Sequence, residues 1–380
     1  MKKTATLVII IIILLSCKKE SQINNVTGAK EIDMTIGRNS KNFCELVDDI
    51  KFIRLETSEE SLIGTIERVK IENDRIFVHD YKTQSILIFS YPDGKFLNKI
   101  RSIGNGPGEY TGVFDFNIIE NQDCVMILDG NLRKLFKYRF DGSYVSSKRI
   151  PFFSRSFLYL DSQNLLFNNY SLDDKKYAYK AIITDTTLTI KNSFFEIERF
   201  YSFQMGHGNQ TSKRTDDSAL FLPQNSVIAY KVTKDSIVPR YFFNFKDRWN
   251  EDILYQKADG FDSFVFNIKK KELVYGLGMN ESTNFIIADF WTADLRHLVV
   301  YNKNNENLNY INNTKNGFVN NKFVPKGYYQ DYLLTTLDHE HIKRALTIDK
   351  DCYFNEKAKK TVDNLNDNDN PVLVLTKFKN

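Results

Sequence analysis

Histidines are the side chains best suited to acid–base chemistry or metal binding, and this sequence has few of them. The five are His79, His207, His297, His339 and His341. Only the last two lie close together. Residues two positions apart share one face of a strand but not of a helix, and a helix could begin at this segment. The H-E-x-x-H zinc motif and the G-x-S-x-G hydrolase motif are absent from the sequence. We therefore predict no catalytic residue, no metal site and no cofactor.

One of these histidines lies in a segment suited to binding. His207 is flanked by glycines in a polar loop over 204–210. Loops above a rigid scaffold commonly carry binding residues, so His207 is a candidate binding residue. The alternative, an ordinary surface loop, is favoured by the sequence.

A glycine-rich segment, R-S-I-G-N-G-P-G-E-Y over 101–110, is the most distinctive stretch of the chain. Its three glycines permit unusual backbone angles, and successive backbone N–H groups could then hold an anion. The candidate binding residues here are Arg101, Asn105, Glu109 and Tyr110. The alternative, which we favour, is a fixed turn in which Glu109 and Tyr110 bond to the neighbouring backbone. The spacing matches neither the P-loop nor the dinucleotide-binding motif.

Cys17 directly follows an apolar run over 7–15 and the small residue Ser16, and two lysines precede that run. A positive start, a short apolar run and a small residue before the cut are the parts of a secretory signal. The run is too short to persist as a membrane-spanning helix. Residues 14–17, L-L-S-C, resemble the bacterial lipobox, in which the cysteine becomes the lipidated first residue. An ordinary signal peptide with an incidental cysteine is the alternative.

The lipobox resemblance implies a membrane as a partner through a lipid anchor, since two or three acyl chains attach a protein durably. We expect a lipoprotein signal peptide over 1–16, the lipidated Cys17 and a flexible polar tether over 17–42, and a folded domain over 43–380. The expected location is the cell envelope, at the outer membrane. Both a periplasmic and a surface-facing orientation fit the sequence.

The other cysteines are Cys44, Cys124 and Cys352. Three is an odd number, so in an oxidising compartment at least one of them is free or pairs with another chain. None has the Cys-x-x-Cys spacing of zinc or redox sites, and Cys124 lies in an apolar run typical of a buried strand. Spacing alone leaves the pairing open.

The elements that position these side chains are predicted to be mainly strands. The 380 residues include 42% hydrophobic and 26% charged residues, which is typical of a folded chain. Aromatic residues reach 14%, and together with many β-branched residues they favour strands over helices. The formal net charge of +4 at pH 7 is too small for a dedicated nucleic-acid binder. No nucleic acid is therefore expected as a partner.

A pattern of short strands recurs along the chain. Residues 76–80 match 125–129, each a strand ending in aspartate, and the turn at Asp93 matches the turn at Asp141. A four-stranded unit repeated about every 50 residues is typical of a β-propeller blade. One small sheet cannot bury both of its faces, whereas blades packed radially bury each other. The chain length allows six or seven such blades.

The glycine-rich segment, with the Asp-Gly-Lys-Phe turn before it, resembles the G-x-G-P-G-E-Y segment of the six-bladed β-propeller lipoproteins common in Bacteroidota. These are related in architecture to NHL-repeat and TolB-like propellers. Residues 53–57 resemble that family's opening strand, and 369–379 its closing strand. The resemblance implies an all-β fold over 43–380: a six-bladed β-propeller of four-stranded antiparallel blades, closed by the N- and C-terminal strands. Ring closure removes exposed sheet edges.

Three segments bear on where helices interrupt this pattern. The hydrophobic spacing predicts helices over 245–255 and 355–366, both inserted beside blades, and a strand over 264–268.

These features predict a membrane-anchored binding or scaffolding module of the cell envelope. The expected site is the mouth of the central channel, where loops of all blades converge on a concave surface. Its occupant would be an unknown small molecule, a glycan or a partner protein. Because fold alone does not set function, two alternatives stand: a propeller hydrolase or lyase acting on envelope glycan or peptide, and a structural subunit of an envelope complex. An enzyme is less favoured than a binding protein.

Overall fold

The strands of the chain form six separate sheets arranged in a ring. The computed structural model describes residues 28–37, 39–119, 122–169, 171–172, 174–198, 211–213, 218–255, 260–311, 324–348, 352 and 354–380. Four sheets have four strands, and the other two carry a fifth strand from the N-terminal segment. The predicted all-β, six-bladed β-propeller is therefore confirmed.

The described part of the chain begins with three strands that join sheets formed by much later residues. They are β1 (Lys30–Asp33), β2 (Ser40–Lys41) and β3 (Val47–Ile53). A single helical turn, α1 (Phe43–Leu46), lies directly before β3.

Each of blades 1 to 3 is built from four consecutive antiparallel strands, the first nearest the central channel and the fourth at the rim. Blade 1 consists of β4 (Ile66–Glu72), β5 (Arg75–Asp80), β6 (Ser85–Ser90) and β7 (Phe96–Ile100). Blade 2 consists of β8 (Asp115–Ile119), β9 (Cys124–Asp129), β10 (Lys134–Arg139) and β11 (Tyr144–Arg149). Blade 3 consists of β12 (Ser156–Tyr159), β13 (Asn164–Asn168), β14 (Tyr179–Asp185) and β15 (Ile190–Glu196).

Blades 4 to 6 keep this order and take in the three N-terminal strands. Blade 4 consists of β16 (Thr211–Lys213), β17 (Ala219–Phe221), β18 (Ile228–Val232) and β19 (Ile237–Asn244), with β1 at its rim. Blade 5 consists of β20 (Tyr275–Glu281), β21 (Phe285–Trp291), β22 (Arg296–Asn302) and β23 (Leu308–Ile311), with β2 at its rim. Blade 6 consists of β24 (Gly327–Tyr329), β25 (Tyr332–Leu337), β26 (Val372–Phe378) and β3.

Blade 6 closes the ring, because its fourth strand comes from the other end of the chain. β3 pairs antiparallel with β26, so that Ile53 lies opposite Leu373 and Val47 lies opposite Phe378. The predicted closure by the N- and C-terminal strands is confirmed. The blade that completes the ring therefore depends on residues more than 300 positions apart.

Part of the tether predicted over 17–42 belongs to the folded domain instead. β1 pairs in parallel with β19, and β2 pairs in parallel with β23. The boundary predicted at residue 43 therefore falls too late. Backbone hydrogen bonds hold these rim strands while most of their side chains stay exposed, so their polar composition did not reveal them.

The helices are short and lie mainly in two insertions. Between β19 and β20 lie α2 (Asp252–Tyr255) and α3 (Phe261–Lys270), and between β25 and β26 lie α4 (His339–Ile348) and α5 (Asn355–Val362). The helix predicted over 355–366 is confirmed but ends at Val362, whereas that over 245–255 reduces to one 3₁₀ turn and α2. The strand predicted over 264–268 is wrong, because Phe264 and Ile268 lie four residues apart on the buried face of α3. No helix in the described ranges is long and apolar enough to span a bilayer.

A disulfide reinforces the closure of the ring. It joins Cys44, in α1 just before β3, to Cys352, between α4 and α5. The two cysteines are 308 positions apart in the sequence. Cys124 is free and buried in β9, so the odd cysteine is a core residue of blade 2.

The hydrophobic core lies between the blades. Phe77 and Ile88 of blade 1 belong to one buried cluster with Phe116, Val125 and Ile127 of blade 2. Every residue of β9 is buried, because this strand packs against neighbours on both of its faces. No blade could bury these faces alone, which is why the strands are stable only as a ring.

Candidate functional site

The propeller has two faces that differ in the loops they carry. The hydroxyl of Tyr110, between blades 1 and 2, donates to the carbonyl of Gln84 at 3.0 Å, in the turn between the second and third strands of blade 1. The connections between blades therefore share one face with these turns, and we call it the connection face. Because the strands alternate in direction, the other hairpin loops lie on the opposite face, which we call the hairpin face.

The glycine-rich segment forms a closed loop on the connection face. The carboxylate of Glu109 accepts the backbone N–H of Gly106 at 2.7 Å, and the carbonyl of Gly106 accepts the N–H of Glu109 at 3.0 Å. A Cβ on Gly104 would lie 2.0 Å from the same carboxylate. The anion held by this loop is therefore the chain's own Glu109 side chain, as in the fixed turn that we favoured.

Two buried tyrosines hold this loop against blades 1 and 2. Tyr110 is fully buried, and burial raises its pKa well above the usual range. Tyr138 donates its hydroxyl to the carbonyl of Gly108, and burial raises the pKa of Tyr138 to about 12. Both hydroxyls thus stay protonated as donors. The geometry of the turn favours glycine at position 108, where φ is +81°.

The repeated aspartates that mark blades 1 and 2 have a structural role. Asp80 accepts the N–H groups of Gly64 and Thr65 at 3.0 and 2.8 Å. Asp129 accepts the N–H of Thr111 at 2.6 Å. In both blades the carboxylate at the end of the second strand fixes the connection that leads into the first strand.

The remaining candidate residues differ in how they are held. Arg101 is exposed and donates through Nε to the carbonyl of Thr83 at 3.1 Å. Asn105 is exposed on the same loop as Glu109. The binding role of these residues stays a prediction. His207 and Cys17 lie outside the described residues.

The first strands of the blades line the channel, and one carboxylate links three of them. Arg68 on β4 forms an ion pair with Asp115 on β8. Asp115 also accepts the backbone N–H of Phe157 on β12 at 2.9 Å. The Asp115 side chain is only 1% exposed, so removal of either partner would leave an uncompensated charge beside the channel.

Lys326 lies where the first strands of blades 6 and 1 meet. Its carbonyl accepts the N–H of Val69 at 2.9 Å, and a Cβ on the adjacent Gly327 would lie 2.3 Å from the Val69 carbonyl oxygen. The Lys326 side chain is half-buried and makes no hydrogen bond or ion pair with the part of the chain that the structure describes. Burial lowers the pKa of Lys326; the charge of Glu67 opposes this effect, and that of Arg296 adds to it.

Arg296, in contrast, is paired. Its Nε and Nη2 both donate to Oδ2 of Asp289, at 3.0 and 2.9 Å. The two side chains are 5% and 1% exposed. This buried pair from blade 5 fixes a guanidinium whose charge acts on Lys326.

His79 adds a neutral ring to the same neighbourhood. It lies opposite Arg68 in the sheet of blade 1 and is 2% exposed. Burial lowers the pKa of His79 to about 3; the charge of Arg68 adds to this effect, Asp80 opposes it, and Lys326 adds to it. Its Nε2 has no hydrogen-bond partner within the described ranges. The imidazole is therefore neutral at physiological pH.

This arrangement suits attraction of an anion better than proton transfer. Arg68 and Arg296 are held in ion pairs, and Lys326 alone among the three keeps its donors available. A half-buried ammonium attracts negative charge more strongly than an exposed one, because its surroundings screen poorly. The described residues contain no group of three His, Cys, Asp or Glu side chains that could hold a metal ion.

Sequence reasoning missed Arg68, Lys326 and Arg296 as candidate site residues. None belongs to a motif, and they come from blades 1, 6 and 5, up to 258 positions apart by residue number (326 − 68). The available signal was weak: Lys326 precedes a glycine, and Arg68 lies in a strand with three other charged residues. Only the ring brings them together.

Comparison with known proteins gives a family and a fold. The model of a domain of unknown function, DUF4934, matches residues 29–377. No curated protein matches the chain. Among solved structures, a Bacteroides fragilis protein named as a predicted exported protein aligns with a TM-score of 0.78 at 20% identity, covering 92% of this chain and 99% of that one. A member of the DUF4221 family from Bacteroides vulgatus aligns with a TM-score of 0.52 at 12% identity, covering 88% of this chain and 97% of that one.

At these identities the two structures are similar to this chain in fold alone, and that fold agrees with the six-bladed ring described above. The family match is of another kind, because it spans nearly the whole chain. The chain belongs to the DUF4934 family, whose function is unknown.

Proposed function

We propose that this protein is an exported, lipid-anchored propeller of the cell envelope that binds an anionic ligand at the mouth of its channel, on the connection face. The single observation that carries the ligand class is Lys326, a half-buried ammonium on the channel wall that forms no ion pair with the residues the structure describes. Such a group is costly to bury, and titratable groups with perturbed pKa values cluster at functional sites. An anionic ligand would supply the missing partner.

An acidic glycan fits this face best. Tyr81 is 60% exposed in the turn between the second and third strands of blade 1, and Phe266 is 66% exposed on α3, in the connection between blades 4 and 5. Both rings therefore lie on the connection face. Aromatic rings offer flat apolar contacts to sugar rings while their surroundings stay hydrated. Lys326 would bind a carboxylate of the same glycan.

Export and anchoring rest on separate support. The signal-like start and L-L-S-C segment of the sequence predict a lipidated Cys17, and the similar Bacteroides fragilis protein is named as a predicted exported protein. The disulfide between Cys44 and Cys352 suits an oxidising compartment. We also propose that the protein is related in architecture to NHL-repeat and TolB-like propellers, as the resemblance of its glycine-rich segment implies.

Binding is tested with the mature chain and trigalacturonate, a carboxylate-bearing sugar, with maltotriose as the neutral control. We expect calorimetry to show binding of trigalacturonate alone, loss of binding in Lys326→Gln and retention in Lys326→Arg. Lys95→Gln, an equal charge change at an exposed hairpin, should bind like the wild type. Equal binding by Lys326→Gln and the wild type would refute the proposed site.

Two further readouts separate the alternatives. Binding of polyglutamate in place of trigalacturonate would indicate an acidic partner protein. Release of new reducing ends from polygalacturonate, lost in Lys326→Gln, would identify a hydrolase or lyase instead of a binding protein.

For the anchor, Cys17→Ser should move the protein from the membrane fraction to the soluble fraction, and an unchanged distribution would contradict lipidation.

A further inference from the structure

A second cavity, unrelated to the channel, lies between blades 4 and 5 on the hairpin face. Its volume is about 490 Å³. Its walls come from β19 of blade 4, from the end of β22 in blade 5, and from the N-terminal strand β1. None of the residues that form the channel site takes part in it.

The cavity is lined by more positive than negative side chains. Among its described lining residues, Glu306 is the one carboxylate. The four cations that line it are Lys30, Lys231, Arg240 and Lys303. Lys30 forms an ion pair with Glu306 at 2.6 Å.

A single buried carboxylate beneath the wall organises two of these cations. Glu281, whose side chain is 2% exposed, accepts hydrogen bonds at Oε1 from Arg240 at 3.3 Å and from Lys303 at 3.0 Å. The hydroxyl of Tyr241 donates to the same oxygen at 2.7 Å. One carboxylate thus holds two of the four cations that line the cavity.

The same contacts hold these cations in place before any ligand arrives. Lys303 also donates to the carbonyl of Ser282 at 2.6 Å, and the guanidinium of Arg240 lies 5.0 Å from the centre of the Tyr241 ring. Their side chains keep 18% and 29% exposure, so both can be reached from the cavity. A ligand that meets fixed donors loses less side-chain entropy than one that must order them.

The dimensions and charge of the cavity select the ligand class. A volume near 500 Å³ lies within the range of small-molecule sites and far exceeds the size of an inorganic ion. Arginine recognises phosphate through paired N–H donors, and a phosphate monoester carries close to two negative charges at neutral pH. Val238 and Pro239 provide an apolar wall for the rest of the molecule, and Glu306 can accept from a hydroxyl.

We propose that this cavity is a binding site for a phosphorylated small molecule of about the size of a sugar phosphate, with Arg240 and Lys303 at the phosphate and Lys30 on the wall formed by β1. The inference goes beyond the proposed function, because the site lies on the other face and uses none of the channel residues.

The test is calorimetric titration of the mature chain with glucose 6-phosphate, with galacturonate and inorganic phosphate as the comparison ligands. We expect glucose 6-phosphate to bind, and Arg240→Gln and Lys30→Gln each to weaken that binding about tenfold or more. Lys95→Gln, an exposed lysine on the same face, should leave the dissociation constant unchanged, and so should Lys326→Gln. Circular dichroism and melting temperature report whether each variant folds. If Arg240→Gln does not fold, Lys30→Gln still tests the site, because Lys30 is exposed.

Each other outcome overturns the proposal. No binding of glucose 6-phosphate by the wild type, or equal binding by the wild type and folded Lys30→Gln, would exclude this cavity as the site. Tighter binding of galacturonate than of glucose 6-phosphate would show that the ligand class is a carboxylate. Equal binding of inorganic phosphate and glucose 6-phosphate would show that the sugar-sized space contributes nothing.

Discussion

Replacing His79 by glutamine should make the protein less sensitive to acid. The imidazole of His79 is 2% exposed, and burial lowers its pKa to about 3, with Arg68 adding to the effect. In the unfolded chain its pKa is 6.5. Between these two values the unfolded state binds a proton that the folded state does not, so the free energy of unfolding falls as the pH falls. Glutamine cannot titrate and removes this contribution.

The magnitude follows from the two pKa values. Between about pH 7.5 and about pH 5, protonation of His79 in the unfolded state should lower the free energy of unfolding by about 2 kcal/mol. The folded state gains almost nothing in this interval, because its pKa lies near 3. His297, whose pKa is lowered by burial to about 4, should contribute a similar loss and serves as a matched second site.

Urea unfolding at the two pH values measures this difference directly. The loss of stability on acidification should be about 2 kcal/mol smaller in His79→Gln than in the wild type, and smaller again in a double variant with His297→Gln. Any constant destabilisation by the substitution cancels, because each protein is compared with itself. Identical pH dependence in the wild type and His79→Gln would mean that His79 takes up a proton in the folded state, and that water reaches its imidazole.

Three further predictions concern the closure of the ring. Cys44→Ser should lower the free energy of unfolding by about 2–5 kcal/mol, because it removes the disulfide. Reductant should bring the wild type to the melting temperature of the variant. A further fall in the melting temperature of the variant on reduction would contradict the Cys44–Cys352 pairing. Gly327→Ala places a Cβ 2.3 Å from the Val69 carbonyl oxygen, so a loss of about 1–3 kcal/mol is expected in urea unfolding, and unchanged stability would mean that the two strands can separate freely. Deletion of 370–380 removes β26 and should abolish soluble expression, whereas a folded product with unchanged melting would disprove the closure.

The blade pattern was readable from the sequence because its signals are local. The strand endings at Asp80 and Asp129 recur at blade spacing, and in the structure each carboxylate binds the backbone of the preceding connection. Alternating apolar residues and turn residues act within a few positions. The same local interpretation failed over 264–268. A short apolar segment fits a buried strand, but Phe264 and Ile268 are also four residues apart, which fits the buried face of a helix.

The candidate sites could not be read in this way. The charge of Lys326 acts on His79 of blade 1, and that of Arg296 acts on Lys326, only because blades 1, 5 and 6 surround one axis. Likewise, Lys30 lines the same cavity as Arg240 only because β1 adds to the rim of blade 4.

By itself, the sequence determined that strands would form, that they would repeat in blades, and that the first and last of them could close a ring. It also indicated a buried Cys124, which the structure confirms as free. The tertiary structure decided the pairing of Cys44 with Cys352, the course of the N-terminal strands, and which charges face one another. The reason is physical: hydrophobic period and turn chemistry act over a few residues, whereas electrostatic and covalent partners are chosen by distance in space, which the closed ring alone sets.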